Sequence, residues 1–300
     1  MMAKIAVLLA AYNGEPFIVS QVNSILSQLD VDVDIYIRDD GSTDKTASII
    51  ERFSVLHNVK IIKDGESTKS AAGNFFKILS QIDFENYEYF AFADQDDIWD
   101  PEKLKRAVSK IIDGSHEGYS ADLIAYSNAK QHAQYLKKSY SAKEFDYLFQ
   151  GASAGCTYVM TSKLAQVVSR TTASLQSSDF VGRSHDWLVY AIARAHQMSW
   201  CFDAYAPIFY RQHASNVYGA MTTMGSLLEK IKLVRGGWYR SNVLWIAANC
   251  GADQKEQDIL ELVRRGRFFD RVRLISRVSS FRRKTSECYV LALFFFFGIF

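Results

Sequence analysis

The sequence predicts an α/β fold: a mostly parallel central sheet flanked by helices, followed by a helical C-terminal region. Three observations lead there. The first hundred residues alternate apolar strand-like runs with runs of helical period, the pattern that builds parallel sheets. The first run, Ile5–Ala10, is apolar throughout, as expected of a strand covered on both faces. From Met224 onward almost every segment reads as helix.

Taken in order, Ile5–Ala10 is followed by Phe17, Val22, Ile25, Leu26 and Leu29 at helical spacing. Val33–Arg38 is a second strand, Thr46–Phe53 a helix, Val59–Lys63 a third strand and Asn74–Ile82 another helix. Tyr87–Ala93 makes a fourth strand, and Pro101 opens a further helix at the early position it favours. Beyond Ala121 the alternation weakens. Leu123–Tyr126 and Thr157–Met160 read as strands, Asp186–Ala195 as a helix, and Trp200–Phe202 and Ile208–Tyr210 as short final strands. A boundary near residue 220 separates a domain at 1–220 from a helical, basic and apolar region at 221–300.

Composition narrows the class. At 48% hydrophobic and 23% charged residues, the 300-residue chain has ample material for a core, and three prolines leave little room for a long disordered linker. The four cysteines are widely separated and form no CxxC pair, so neither a zinc site nor a disulfide framework is expected. The apolar run near the N-terminus passes straight into Tyr12-Asn13-Gly14-Glu15, which suits a first strand better than a signal peptide. Net charge is +2, yet nine basic and only two acidic residues follow from Arg264 onward, so the tail carries +7 and the body −5.

Two acidic clusters carry the chemistry, each directly after a strand. Asp39-Asp40-Gly41-Ser42-Thr43-Asp44 follows the second and Asp94-Gln95-Asp96-Asp97-Ile98-Trp99 the fourth. Ligands of open α/β sheets sit beyond the carboxyl ends of the strands, so both clusters are expected at one site. Carboxylates are hard oxygen donors suited to Mg2+ or Mn2+, ions that are shared with substrate phosphates. Asp94 and Asp96, two apart, project to the same side of an extended chain. Helix capping by Asp100-Pro101-Glu102 accounts for one acid but not the cluster. The chain lacks GxGxxG, GxxxxGK[ST] and HExxH, which disfavours dinucleotide-dependent oxidoreductases, P-loop NTPases and zinc peptidases.

In order and spacing, Ala11-Tyr12-Asn13-Gly14-Glu15 and the two acidic clusters resemble the motifs of family 2 glycosyltransferases of GT-A fold. The DQDD-x-W form, with Ser184-His185-Asp186-Trp187 and Tyr210-Arg211-Gln212-His213, resembles the rhamnosyltransferase-like branch, over roughly residues 3 to 215. The resemblance implies an inverting, metal-dependent transfer of a sugar, such as L-rhamnose from dTDP-rhamnose, to a glycan or lipid-linked glycan of bacterial surface polysaccharide. Ala11, Tyr12, Asn13, Glu15, Asp39, Asp40, Lys69, Asn74, Asp94, Gln95 and Arg211 would bind a dTDP- or UDP-sugar. Asp96, with Asp94 and His213, would hold the divalent metal; Asp186 would be the catalytic base. Trp99, Gly155, Cys156, Thr157, His185 and Trp187 would border the acceptor.

Two other classes compete. A sugar nucleotidyltransferase also needs acids and a metal, but its triphosphate calls for a glycine- and base-rich first loop, which Ala10–Pro16 is not. A non-catalytic membrane-associated scaffold subunit would be expected to lose the acids that are present here. The tail interleaves Phe268, Phe269, Val272, Leu274 and Ile275 with arginines and ends in apolar Tyr289–Phe300. Twelve residues fall short of the roughly 20 that span a bilayer. The tail suits the membrane interface or a contact between copies better than nucleic acid. The expected location is cytoplasmic, peripheral on the inner face of the plasma membrane.

Overall fold

The computed structural model describes residues 2–127, 132–212, 235–251 and 253–300. Its strands are β1 (Ala3–Ala11), β2 (Val31–Asp39), β3 (Val59–Ile62), β4 (Tyr89–Asp94) and β5 (Ile98–Trp99). They continue as β6 (Gly118–Ala121), β7 (Leu123–Ser127), β8 (His132–Leu136), β9 (Val159–Thr161), β10 (Trp200–Asp203) and β11 (Ile208–Arg211). The central sheet runs β3-β2-β1-β4-β9-β6-β10. β1 to β4 are parallel, as the alternation requires, whereas β9 runs antiparallel to both neighbours and makes the sheet mixed. A second sheet, β5-β11-β7-β8, stands beside the ends of the first.

The apolar run of β1 serves two cores at once. Ile5, Val7, Leu9 and Ala11 face a cluster with Ile18, Val22 and Ile25 of α1 (Ile18–Leu26). After α2 (Thr46–Glu51) and α3 (Ala71–Leu79) comes α4 (Lys103–Gly114), which adds Leu104, Ala107 and Ile111 to the same cluster. Ala6 and Leu8 face the opposite cluster, built on α3. After the short α5 (Asp146–Phe149), α6 (Ser162–Thr172) and α7 (His185–Ala195) complete that layer. Alternating side chains of a strand point to opposite faces, so a strand sandwiched between helix layers must be apolar at every position.

Among the described residues, four C-terminal helices follow: α8 (Trp238–Asn249), α9 (Gln254–Arg265), α10 (Phe268–Ser276) and α11 (Thr285–Phe297). They join the α3/α6/α7 core through Val243, Ile246, Leu260, Leu274 and Phe295, with Phe281 added from the turn before α11. Phe281 stacks on Phe149 with ring centroids 4.3 Å apart, and the Tyr239 hydroxyl donates to the Phe149 carbonyl. Among the described residues no helix is long and apolar enough to cross a membrane. The boundary expected near residue 220, and His213, lie outside the described residues.

Candidate active site

Strand register brings the acids together. Along β1, Ala11 pairs with Asp39 of β2 and Ala10 with Asp94 of β4. Both acidic turns therefore leave the same carboxyl edge of the sheet, on either side of the β1 end. Three side chains lock these turns to one another. Gln95 accepts from the Tyr12 N–H at 2.8 Å and donates to the Tyr12 carbonyl at 2.7 Å. Asn13 accepts from the Thr43 N–H, and Ser42 Oγ accepts from the Asn13 N–H, both at 2.8 Å. Glu15 receives the Lys45 N–H, while its own N–H goes to Asp44. A Cβ at Gly14 would fall 2.2 Å from Gln95 Oε1, so glycine is what allows the amide to reach Tyr12. Gln95, Asn13 and Glu15 are thus fasteners of the two loops, a role that sequence spacing does not show.

A second network shapes the floor of the site. Arg38, fully buried, donates to Asp40 at 2.8 Å, to Asn74 Oδ1 at 3.0 Å and to both Asp64 oxygens at 2.9 Å. Asp40 also receives the Thr68 N–H and hydroxyl, and Asn74 Nδ2 donates to the carbonyls of Ala11 and Arg38. Asp40 and Asn74 were expected to touch a nucleotide. In the structure both are buried and bonded to Arg38, whose buried guanidinium needs acceptors. Asp39 stays partly open, bonded to Ser42, and Tyr12 and Lys69 are exposed; Lys69 holds a backbone φ of +55°.

Negative charge accumulates at the end of β4. Burial, then the charges of Asp96 and Asp186, push the Asp94 carboxyl up to about 7. Asp97, fully buried, is raised well above the carboxylate range by burial and by Asp94 and Asp96. Asp94, Asp97 and Cys156 bring possible ligand atoms within 4.8 Å of one another. Asp186 arrives from the other side, in the first turn of α7, where Oδ1 accepts from the Ser184 hydroxyl and from the Trp187 N–H. Like charges packed this closely without a counter-ion raise one another's pKa, and a divalent cation relieves that repulsion. The carboxylates of this set are hard donors that fit Mg2+ or Mn2+, whereas the buried Cys156 thiol is a soft group that suits neither.

Two basic residues flank the acids. Arg211 of β11 donates through Nε to the Asp96 carbonyl at 3.1 Å and lies over the rings of Phe17 and Tyr126. Lys103 went unnoticed in the sequence. Its buried ammonium sits 3.1 Å from the centroid of the Trp99 ring, with its pKa lowered to about 7 by burial, against the opposing pull of Cys156 and Asp97. The detectable signal was a lysine in the first helical turn after an acid-x-Trp sequence.

The expected acceptor wall is largely interior. Trp99 and Trp187 are 2% and 6% exposed, and the Trp187 indole donates to the Tyr147 carbonyl, so neither offers a free face to a sugar. Cys156 and Thr157 are fully buried, and Thr157 Oγ1 closes a turn on the Ala154 carbonyl. All four side chains are packed into the interior. His185, half-buried, rests on Phe75 with centroids 4.2 Å apart, and burial favours its neutral form against the pull of Asp186. A Cβ at Gly155 would meet His185 Nε2 at 2.2 Å, so that glycine admits the ring.

Comparison with known proteins decides the family. Residues 6–164 match the model described as Glycosyl transferase family 2. The chain belongs to glycosyl transferase family 2. Over 287 residues it is 33% identical to the dTDP-rhamnosyl transferase RfbG of Shigella flexneri, covering 95% of this chain and 98% of that protein. This family 2 member has the GT-A-like fold seen in residues 1–349 of S. aureus TarS, with a TM-score of 0.58 at 16% identity over 99% of this chain and 80% of that one. The mannosyltransferase PcManGT of Pyrobaculum calidifontis, solved with GDP-Man and Mn2+, gives a TM-score of 0.52 at 12% identity, over 98% and 85% of the two chains.

Proposed function

We propose that this glycosyltransferase moves L-rhamnose from dTDP-rhamnose, with inversion, to a hydroxyl of a glycan or lipid-linked glycan in surface polysaccharide synthesis. The observation that carries the reading is the register that sets Asp39 and Asp94 on either side of the β1 end, with Asp96 two residues on and Asp186, in the first turn of α7, near enough for its charge to raise the Asp94 carboxyl. Identity to a dTDP-rhamnosyl transferase along nearly the whole chain supports the donor. Tyr12, Asp39 and Lys69 line the nucleoside side. Asp96 and Asp94 would hold a divalent metal, which when bound would neutralise charge on the leaving diphosphate. Arg211 fixes the backbone of the acidic loop and so the direction of its carboxylates.

In the transfer, the acceptor oxygen forms a bond to the anomeric carbon while the bond from that carbon to the diphosphate oxygen breaks. The bonding pair leaves with the nucleoside diphosphate. Asp186 Oδ2 takes the acceptor's proton, with Oδ1 held by Ser184 and the Trp187 N–H. The acceptor is met at the inner face of the plasma membrane, to which the C-terminal region attaches.

The test is ligand-induced thermal shift with dTDP, UDP and dTDP-rhamnose, with and without Mn2+, on wild type and Asp96→Ala. A metal-dependent rise with dTDP that disappears in Asp96→Ala is the expected result. A folded wild type that shifts with no nucleoside diphosphate would overturn the proposal.

A further inference from the structure

The C-terminal hairpin exposes an unusual concentration of aromatic surface. α10 and α11 run antiparallel, and Arg271 of α10 donates to the carbonyls of Phe295 and Phe296 at the end of α11. Around that arginine gather Phe268 and Phe269 from one helix and Phe296 and Phe297 from the other. All four are at least 60% exposed, and Val272 and Leu293 extend the patch. Apolar patches of this kind on a folded surface mark contact sites.

Charge specifies the occupant. Arg264, Arg267, Arg273, Arg277 and Lys284 are exposed on the same segment. Its two carboxylates, Asp270 and Glu287, are already paired with Arg265 and Arg282. Exposed basic residues along the same hairpin as protruding phenylalanines match an anionic bilayer, into which aromatic rings insert to the headgroup boundary while arginines meet the phosphates.

The hairpin is also tied to the site. Between α10 and α11, Phe281 stacks on Phe149, and Arg282 donates to Gln150 and to the Tyr239 hydroxyl. Arg283 donates to the carbonyls of Gly151 and Ala152, both at 2.6 Å, and pairs with buried Asp146 at 3.5 Å. This strap thus grips the segment that leads through Gly155 and Cys156 to His185 and the acids.

Resting on the membrane attachment proposed above, we infer that docking of the α10–α11 hairpin on an anionic bilayer fixes the 150–156 segment through the Arg282–Arg283 strap. A lipid-linked acceptor would then meet a site held most firmly where its lipid lies. Arg283 is a positioning residue in this scheme, remote from the reacting atoms.

The experiment combines vesicle flotation with hydrogen exchange on the full chain, using phosphatidylglycerol/phosphatidylethanolamine vesicles and phosphatidylcholine vesicles as control. Wild type should float with the anionic vesicles only, and Phe296→Asp/Phe297→Asp should reduce the bound fraction roughly tenfold. Exchange across 150–156 should slow on vesicle binding in wild type and not in Arg283→Lys or Arg282→Gln. Flotation without protection at 150–156 would overturn the coupling while leaving membrane attachment standing. Absence of flotation would overturn both, and a concentration-dependent dimer would then make a second copy the occupant. The dTDP-induced thermal shift, measured on the same samples, reports the transferase reading separately.

Discussion

Arg38→Met tests whether the floor of the site is held by a buried ion pair. The guanidinium is fully buried, its partner Asp40 has 5% side-chain exposure, and Asp64, at 20%, retains some water. Methionine fills much of the volume but leaves Asp40 as an unpaired charge. Removing one partner of a buried pair costs roughly 3–5 kcal/mol, most of it the desolvation of the group left behind. Asp64 should add little, since solvent compensates it. Asp40→Asn in the Arg38→Met background removes the stranded charge, so the double variant should be more stable than the two single losses add up to, by about 0.5–3 kcal/mol. Urea denaturation with a common m-value gives the four free energies. A loss below about 1 kcal/mol for Arg38→Met, or strict additivity in the cycle, would refute the argument. The same set separates architecture from ligand contact. Asp40→Asn should lower stability yet keep the dTDP-induced thermal shift, whereas Asp39→Asn should reduce that shift.

Three further outcomes are expected. Gly14→Ala drives Gln95 off Tyr12, so Gly14→Ala, Gln95→Ala and the double variant should each lose about 1–3 kcal/mol of stability, two net hydrogen bonds' worth, without summing; additive denaturation free energies would contradict a shared cause. Asp186→Asn should lower kcat by roughly 10²–10⁴ with donor affinity intact, as measured by product formation and thermal shift; an unchanged kcat removes it as base. Burial alone would raise the Asp203 carboxyl, but hydrogen bonds from Arg106 and Tyr119 outweigh it and hold the pKa below the usual value. Its contribution to stability is therefore present above the unfolded-state value near ~3.9 and lost as pH falls through the lower folded value. Asp203→Asn should flatten the acid limb of an unfolding-versus-pH curve, and an unaltered limb would show that the pair contributes nothing.

Sequence alone determined the parallel half of the sheet and the place of the acids. A strand packed on both faces is recognisable because nearly every side chain is apolar; Ile5–Ala10 meets that constraint throughout, and Val33–Arg38 and Tyr87–Ala93 meet it apart from Asp34, Arg38 and Glu88. The acids follow those strands directly, and so their shared edge was readable before any contact was known. Strands β6 and β8 were not readable: Gly118–Ala121 and His132–Leu136 are short and mixed in polarity, and non-local pairing alone makes them strands. Nor does spacing reveal what a polar side chain faces. Asp39 and Asp40 are neighbours, yet one opens toward solvent and the other is enclosed with Arg38, because successive residues at a strand end point to opposite sides. Trp99 and Trp187 look like sugar platforms in sequence and are core residues in the fold. Residue type and order set which chemistry the chain carries. Burial and long-range partners, which only the tertiary structure fixes, decide which of those groups remain free to perform it.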